Sequence, residues 1–418
     1  MQFYYTQYAT SGEFWQNEGK RWDKEADHLA NPTKTLQQTA NGIVASGDTD
    51  EVKARKIYAA VMKLDNTHFS RSKSEAERKK EKLKEIKGAE DVWKQQSGSA
   101  NEIALLYIAL ARAAGLKVYP MQVVNRDDAI FDPTYMTTYQ LDDYLAIVNI
   151  GGKEVFLDPG QKECPFGLLH WKHTLAGGLR GAEKGPEYGV TEGSTYKQTM
   201  VSRVADLTID PDGTVKGTVR FVMSGEEALR WRQKALQNDA DEVKKQFNEA
   251  IRADIPDGVQ ADFDHFLGLD DIDSNLIAAV KVSGGIATAT GRHFFVPGLF
   301  FESHAKHPFV AEATRTIPVD VQYPKMEQDE VMYRLPAGYT VENSPATTNI
   351  SWPEHALMKI TSTADATMID VSRTIAYNFT LLDPKDYSNL HDFYQKVATA
   401  DQQQLVLTRM AATAAKGN

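Results

Sequence analysis

Residues 96–115, QSGSANEIALLYIALARAAG, form the stretch that decides the fold. Ser99 and Glu102 have the S-x-x-E spacing of a capping box, in which each side chain accepts a hydrogen bond from the backbone N–H of the other residue. Every residue from Ile103 to Leu110 is apolar, and Gly115 provides a C-terminal stop. The sequence therefore predicts a helix that begins at Ser99 and is buried on all sides.

The first turn of this helix is suited to negative charge. Its backbone N–H groups have no partner within the helix, and the helix dipole is positive there, so an anion or a thiolate would be stabilised. The residues in that turn are Ala100 and Asn101. The position best placed to hold a thiolate thus carries a methyl group.

Composition sets limits on the whole chain. The chain has 418 residues, which is too long for a single hydrophobic core and predicts two or three domains. The net charge of −10 disfavours binding to nucleic acid or to an anionic membrane. No apolar run is long enough to span a bilayer, and the first residues do not show the charged-then-apolar pattern expected of a signal peptide. Because Cys164 is the single cysteine, no internal disulfide can form, and the compartment stays undecided.

Three helices are predicted before the central one. Residues 11–30 carry apolar side chains at helical spacing, a second helix follows Pro32, and a third is expected to be capped by Asp48 with Glu51 three residues later. Residues 2–9 alternate like a strand but have no hairpin partner nearby. This orphan strand predicts that the chain is a fragment, or a mature form, of something longer.

A charged run separates the third helix from the central one. Residues 72–87, SKSEAERKKEKLKEIK, mix Glu and Lys in pairs such as Glu75 and Lys79, which is typical of a solvated helix. A basic patch for a partner is the alternative interpretation.

Strands follow the central helix. Residues 117–124 and 144–157 are strand-like, and Gly151-Gly152 predicts a hairpin turn within the second segment. The first half is therefore predicted to be an α+β domain, with helices packed on an antiparallel sheet.

The pattern changes near residue 190. Alternating segments on both sides of the Pro211-Asp212-Gly213 turn predict a hairpin, and residues 309–379 contain strand after strand. We expect residues 1–190 to form one domain. Residues 191–418 are expected to form a mostly β, sandwich-like region with inserted helices and a subdivision near 309.

The order of the first half resembles a known family. A capped buried helix followed by a hairpin that ends in Phe156-Leu157-Asp158-Pro159 resembles the transglutaminase-like branch of the papain-type cysteine enzymes. In that superfamily the helix opens with G-x-C, a strand carries a His, and the next strand ends in an Asp, often followed by Pro. The Cys thiolate attacks, the His activates it, and the Asp orients the imidazole.

The resemblance covers roughly residues 48–160 and implies an incomplete triad. Gly98-Ser99-Ala100 falls on G-x-C, so Ala100 occupies the nucleophile position. Asp143, in residues 140–144, falls on the histidine position, and Asp158 alone matches a catalytic residue. Because a methyl group cannot attack an acyl carbon, the usual activity is expected to be absent.

The resemblance also implies a cellular location and a class of ligand. A similar core with a β-rich C-terminal region occurs in bacterial cell-envelope proteins of unknown function, which predicts a periplasmic or envelope location. The groove at the helix start, with Ser99, Asn101, Asp142 and Tyr144 as candidate lining residues, is expected to hold a peptide, a protein segment or a glycan. No cofactor is expected.

Catalysis by another class of hydrolase is the alternative function. The Asp143 and Asp158 carboxylates are expected to lie close together, in which case one pKa should rise and an acid/base or cation site could form. A simpler interpretation makes Asp143 a solvent-facing strand end and Asp158 a turn cap. Cys164 and His170 could also form a thiol–imidazole pair.

Two further features remain open. His170/His173 and His304/His307 are histidine pairs three residues apart, a spacing that could serve a metal, although no acidic third ligand follows in a recognisable pattern. Exposed edge strands of the β-rich half could recruit a partner by strand addition.

Overall fold

The computed structural model describes residues 7–70, 74–80, 84–301 and 307–410. The chain forms two compact units. The first contains Met1–Gly193 and Arg232–Gln237, and the second contains Ser194–Trp231 and Asn238–Asn418. Residues 2–6 of the predicted N-terminal strand and His304 of the second histidine pair lie outside the described residues. So do the side chain of Glu75 and parts of the charged run.

Helices come first in the N-terminal unit, as the sequence predicts. Threonine side chains at positions 10, 33 and 49 accept backbone N–H groups at the starts of the first three helices. The helices are α1 (Ser11–Leu29), α2 (Lys34–Ile43), α3 (Asp50–Val61), α4 (Glu75–Lys80), α5 (Ala89–Gln95) and α6 (Ala100–Ala113).

The predicted cap of α3 is wrong by one residue. Thr49, not Asp48, accepts from the backbone N–H of Val52. Asp48 instead accepts from the N–H of Ala45 and pairs with Lys56 at 2.6 Å. Both residue types cap helices well, so spacing alone did not distinguish them.

Helix α6 is the buried centre of the unit. Ser99 accepts from the N–H of Glu102 at 3.4 Å, and the Glu102 carboxylate accepts from the N–H of Ser99 at 2.7 Å, which confirms the capping box. The helix contacts α2, α3 and α5 on one side and two strands of the sheet on the other. Each buried Leu or Ile of this helix contributes roughly 1.5–3 kcal/mol through the hydrophobic effect.

An antiparallel sheet follows α6. Its strand order is β5-β4-β3-β6-β7, and the β4–β5 turn is made by Gly151 and Gly152, which have φ values of 60° and 83°. The strands of the unit are β1 (Asp65–Asn66), β2 (Ser97–Gly98), β3 (Val118–Val123), β4 (Asp143–Ile150), β5 (Lys153–Leu157), β6 (Gly177–Arg180) and β7 (Glu187–Val190). Strands β1 and β2 pair in parallel beside the start of α6. This confirms the predicted α+β core.

The second unit is rich in strands. An eight-stranded sheet has the order β10-β11-β9-β8-β15-β19-β18-β17, and a four-stranded sheet has the order β12-β13-β21-β16. The strands are β8 (Met200–Ile209), β9 (Thr214–Met223), β10 (Val259–Leu267), β11 (Leu276–Gly285), β12 (Thr288–Thr290), β13 (His293–Pro297), β14 (Val319–Asp320), β15 (Lys325–Arg334), β16 (Tyr339–Asn343), β17 (Thr348–Trp352), β18 (Ala356–Ala364), β19 (Met368–Tyr377), β20 (Leu381–Leu382) and β21 (Gln404–Arg409).

The helices of this unit complete one hydrophobic core with both sheets. They are α7 (Gly225–Gln237, of which residues 225–231 belong here), α8 (Ala240–Arg252) and α9 (Tyr387–Asp401). The core joins residues from both sheets, such as Tyr333 and Leu407, with Phe247 of α8 and Phe393 of α9. No helix within the described ranges is both long and apolar enough to cross a bilayer.

Candidate functional site

The position predicted to hold the nucleophile, Ala100, is closed. Ala100 begins α6 and is only 3% exposed. Gly160 packs directly on it, so closely that a Cβ added at Gly160 would lie 2.8 Å from the Ala100 carbonyl oxygen. The helix start therefore has neither a reactive atom nor room for a substrate carbon beside Gly160.

The two residues before Ala100 have structural roles. Gly98 pairs with Asn66 in the small parallel sheet, and a Cβ there would lie 2.9 Å from Cγ1 of Val92. The Ser99 hydroxyl is the helix cap. The Gly-Ser pair of the G-x-C-like motif is thus explained by packing and capping.

Asn101 joins the helix to the sheet. Its side-chain nitrogen donates to the Asp142 carbonyl at 2.8 Å, and its side-chain oxygen accepts from the Tyr144 N–H at 2.8 Å. The amide therefore binds the backbone on both sides of Asp143, much as a neighbouring strand would. This clamp sets the position of Asp143 relative to Ala100.

The other two predicted groove residues lie on either side of Asp143. Asp142 accepts from the N–H of Asn125 at 3.1 Å, and partial burial raises the pKa of its carboxyl. The Tyr144 ring stacks on Trp22 with centroids 6.3 Å apart, and burial raises its pKa to about 12. Both side chains have partners within the domain.

A histidine connects the two aspartates of the predicted site. His173 ends a short 3-10 helix, Trp171–His173, in the segment after β5. Its Nδ1 lies 2.6 Å from Oδ2 of Asp158, and its Nε2 lies 3.0 Å from Oδ2 of Asp143. The side chains of His173 and Asp158 are each 1% exposed, and that of Asp143 is 20% exposed. The structure thus places one imidazole between the two carboxylates.

In this cluster, the positive charge of His173 and the negative charges of the aspartates favour the ionised form of each other. Burial by itself would lower the pKa of His173, but the Asp158 charge and the hydrogen bonds to both aspartates raise it to about 10. Burial favours the neutral form of Asp143, yet the hydrogen bond from His173 and its positive charge hold the pKa of Asp143 below its usual range. At neutral pH the ring is an imidazolium that donates from both nitrogens.

Two expectations for Asp143 need correction. The sequence predicts that one pKa of the Asp143 and Asp158 pair rises; this does not happen at Asp143, whose pKa is lowered because a cation lies between the two carboxylates. The interpretation of Asp143 as a solvent-facing strand end is also wrong. Asp143 begins β4, and its side chain binds the buried ring.

The alternative thiol–imidazole pair is enclosed. Cys164 is fully buried, and its Sγ donates to the Leu168 carbonyl at 3.3 Å. His170 is buried, its Nδ1 accepts from the Lys172 N–H, and burial holds the pKa of its ring well below the usual range. A substrate would have no open path to this thiol.

The first histidine pair is not arranged around a metal. The ring centroids of His170 and His173 lie 6.2 Å apart, and both nitrogens of His173 already bind carboxylates. Among the described residues, no group of three or more His, Cys, Asp or Glu side chains is placed to hold a metal ion.

Sequence reasoning did not find the role of His173. The residue was noted only as half of a histidine pair. Its partners lie 15 and 30 residues earlier in the chain, and the segment that carries it back to them has no periodic pattern. The available signal was a histidine in the loop after Leu157-Asp158-Pro159.

Comparisons with known proteins agree with this geometry. Residues 37–136 match the transglutaminase-like superfamily, and residues 292–407 match a domain of unknown function, DUF3858. A crystal structure from Parabacteroides distasonis described as a "putative protease" superimposes with a TM-score of 0.51 at 13% sequence identity. The match covers 96% of this chain and 59% of that one, so the chain spans less than two thirds of its structural neighbour. No curated protein matches.

The chain therefore contains a transglutaminase-like domain followed by a β-rich region that includes a DUF3858 domain. At 13% identity, the structural neighbour establishes similarity of fold only.

Proposed function

We propose that the transglutaminase-like domain does not catalyse acyl transfer and serves as a binding or structural module. The observation that carries this proposal is Ala100 at the start of α6, where the fold would place a thiolate. Without an atom that has a lone pair to donate, no covalent acyl intermediate can form there.

The state of the histidine supports the same proposal. A general base must be deprotonated and within reach of the proton that it removes. The His173 ring is protonated at neutral pH, is buried, and donates from both nitrogens to carboxylates. The cluster is therefore suited to holding β4 and the segment after β5 together.

Acid/base catalysis by the aspartates is the less favoured function. Asp143 and Asp158 are both hydrogen-bonded to His173, and Asp158 is almost fully buried. A catalytic carboxyl must be able to exchange its proton with a bound substrate. The cluster leaves only the partly exposed Asp143 near solvent, with a pKa that keeps it ionised.

Assays of the full chain for peptide hydrolysis and for amine incorporation into casein test the proposal. We expect wild-type rates equal to those of buffer. A rate above buffer that disappears in Asp158→Asn or Cys164→Ser, but persists in the exposed control Gln16→Ala, would refute it.

A thiol-labelling experiment adds an independent readout. We expect no fluorescent maleimide on the native wild-type chain and one per chain after denaturation, because Cys164 is fully buried. Ala100→Cys should also label far more slowly than Gln16→Cys, since position 100 is covered and position 16 is exposed. Rapid native labelling at position 100 would mean that the helix start is open.

The ligand class and location belong to the same proposal. We propose a peptide, protein segment or glycan as the binding partner and the bacterial cell envelope as the location, both supported by the family resemblance. Fractionation of the native host tests the location, and recovery in the cytosolic fraction would contradict it.

A further inference from the structure

A cavity of about 330 Å³ lies within the second unit, between one face of the eight-stranded sheet and helices α7 and α8. This volume is at the lower end of the roughly 300–1,000 Å³ range of small-molecule sites. Its wall combines charged and aromatic side chains. The lining residues used below are Arg203, Phe221, Trp231, Phe247, Lys325 and Glu327.

An ion pair forms the polar end of the cavity. Lys325 and Glu327 are at the start of β15 and point to the same face, with Nζ 2.6 Å from Oε1. Their side chains are 25% and 24% exposed. Arg203 on the neighbouring strand β8 is engaged by Asp329 through two contacts of 2.5 and 2.9 Å. Arg230, Glu227 and Asp254 also line the cavity, so three basic and three acidic side chains face each other there before any ligand binds.

Both members of the pair are ionised at neutral pH. Burial favours neutral Glu327, but the charges of Lys325 and Arg203 lower its pKa to about 2. Burial opposes the charge on Lys325, but the Glu327 carboxylate raises the pKa of the ammonium above its usual value. The cavity thus offers a fixed cation beside a fixed anion.

The pair has unused hydrogen-bonding capacity. An ammonium has three donors and a carboxylate has two oxygens. Within the described residues, Lys325 makes a single contact to a carboxylate, through Oε1 of Glu327. Two donors of Lys325 and Oε2 of Glu327 are left for groups in the cavity.

Another part of the cavity wall is aromatic. The Trp231 and Phe247 rings have centroids 4.6 Å apart, and Phe221 packs edge-on to Phe247 at 5.5 Å. Arg230 covers the Trp231 ring at 4.9 Å. A ligand in the cavity would therefore meet aromatic carbon atoms as well as the ion pair.

A purely structural role does not account for this arrangement. Buried ion pairs are often no more stabilising than apolar residues of the same volume, because desolvation offsets the attraction. Apolar residues at positions 325 and 327 would also extend the core that β15 already contributes through Val331 and Tyr333. At this end of β15 the charged side chains of Lys325 and Glu327 instead line the cavity.

We propose that this cavity binds an α-amino acid with a large apolar side chain. The ligand carboxylate accepts from Lys325, its ammonium donates to Glu327, and its side chain lies against Trp231 and Phe221. Because the remaining donors of Lys325 and Oε2 of Glu327 lie close together, a ligand that carries a carboxylate and an ammonium on one carbon can bind both. This site is independent of the proposed loss of catalysis in the first unit.

Calorimetry of the full chain with matched small molecules tests the proposal. L-Phenylalanine is the probe, 3-phenylpropionate lacks its ammonium, and phenethylamine lacks its carboxylate. We expect phenylalanine to bind at least ten-fold more tightly than either analogue and to raise the Tm. Absence of binding at 10 mM phenylalanine would overturn the proposal. Equal binding of an analogue would also overturn it, as would tighter binding of the dipeptide Phe-Gly, whose charges are further apart.

Variants locate the binding site. The double substitution Lys325→Met with Glu327→Met removes both charges and leaves no unpaired ion, so it is expected to fold and to bind phenylalanine at least ten-fold more weakly. The control Asp210→Asn with Lys216→Gln removes an exposed pair of the same sheet, with contacts of 2.9 Å, and should bind normally. Unchanged affinity in a folded Met/Met variant would place the ligand elsewhere and overturn the assignment.

Discussion

The Asp158 carboxylate lies 2.6 Å from Nδ1 of His173, and both side chains are almost fully buried. Removing one partner of such a pair leaves an uncompensated buried charge, which typically costs about 3–5 kcal/mol. We therefore expect His173→Gln to lower the free energy of unfolding of the first unit by about 3–5 kcal/mol, measured by urea denaturation.

His28, which is exposed in the last turn of α1 in the same unit, is the control for this measurement. His28→Gln should change stability by no more than about 0.5 kcal/mol, as expected for a surface site. If the two variants lose similar free energies of unfolding, the buried cluster stabilises the first unit no more than an exposed histidine does.

The pH dependence of stability should also depend on His173. Its pKa is about 10 in the folded chain, against about 6.5 in an unfolded one. Because the folded value is higher, the stabilisation is complete below about pH 6.5 and is lost as the pH rises toward 10. Asp143 has a lowered pKa, so its contribution is lost in acid, below about pH 4.

The difference in stability between wild type and His173→Gln should therefore be largest between about pH 4 and 6.5 and should shrink by a few kcal/mol toward pH 10. Urea denaturation at a series of pH values measures it. A difference that stays constant above about pH 7 would show that the ring is neutral in the folded protein.

Gly160 is predicted to tolerate no side chain. An added Cβ would lie 2.8 Å from the Ala100 carbonyl oxygen, which is backbone and cannot rotate away. We expect Gly160→Ala to destabilise the protein by about 1–3 kcal/mol, as in other overpacked sites, with a lower Tm as the readout.

Gly42 provides a matched control, because a Cβ there meets nothing within 4 Å. Gly42→Ala lies within α2 and should leave stability unchanged or raise it by up to about 1 kcal/mol. If Gly160→Ala and Gly42→Ala change the Tm by the same amount, Gly160 does not pack closely against the start of α6.

Asn101 should control the start of β4. Asn101→Leu removes both of its bonds to the backbone, each 2.8 Å long, and is expected to cost about 1–3 kcal/mol. Hydrogen exchange at the Tyr144 amide should become faster. Asn101→Asp keeps the acceptor for that amide and should preserve its protection, so fast exchange in Asn101→Asp would contradict the clamp.

The sequence predicted the parts of the fold that depend on local patterns. The Ser99 capping box, the Gly151-Gly152 turn and the hairpin around residue 212 all have short-range signals, and the structure contains each of them. Strand β10, residues 259–267, was not predicted, since a bulge between Phe263 and His265 breaks its alternation of apolar and polar side chains.

The contacts that define the sites are not local. His173 meets Asp143 and Asp158 only because the loop after β5 folds back, and Lys325 and Arg203 lie on strands distant in sequence. Charged residues in a strand normally indicate a solvent-facing position. Here helices α7 and α8 pack over that face of the sheet. The spacing of residues within a strand does not show whether a helix from elsewhere in the chain will pack on it.

A positively charged ring between two aspartates also constrains how this domain could evolve. Restoring acyl chemistry would require sulfur at position 100, a ring at position 143 and the release of the ring at position 173. No single one of these changes would provide activity. Release of the His173 ring would also leave the Asp143 and Asp158 carboxylates without a counterion. Under the proposed function, descendants of this sequence are expected to stay non-catalytic, and selection would act on His173 through the yield of folded protein rather than through turnover.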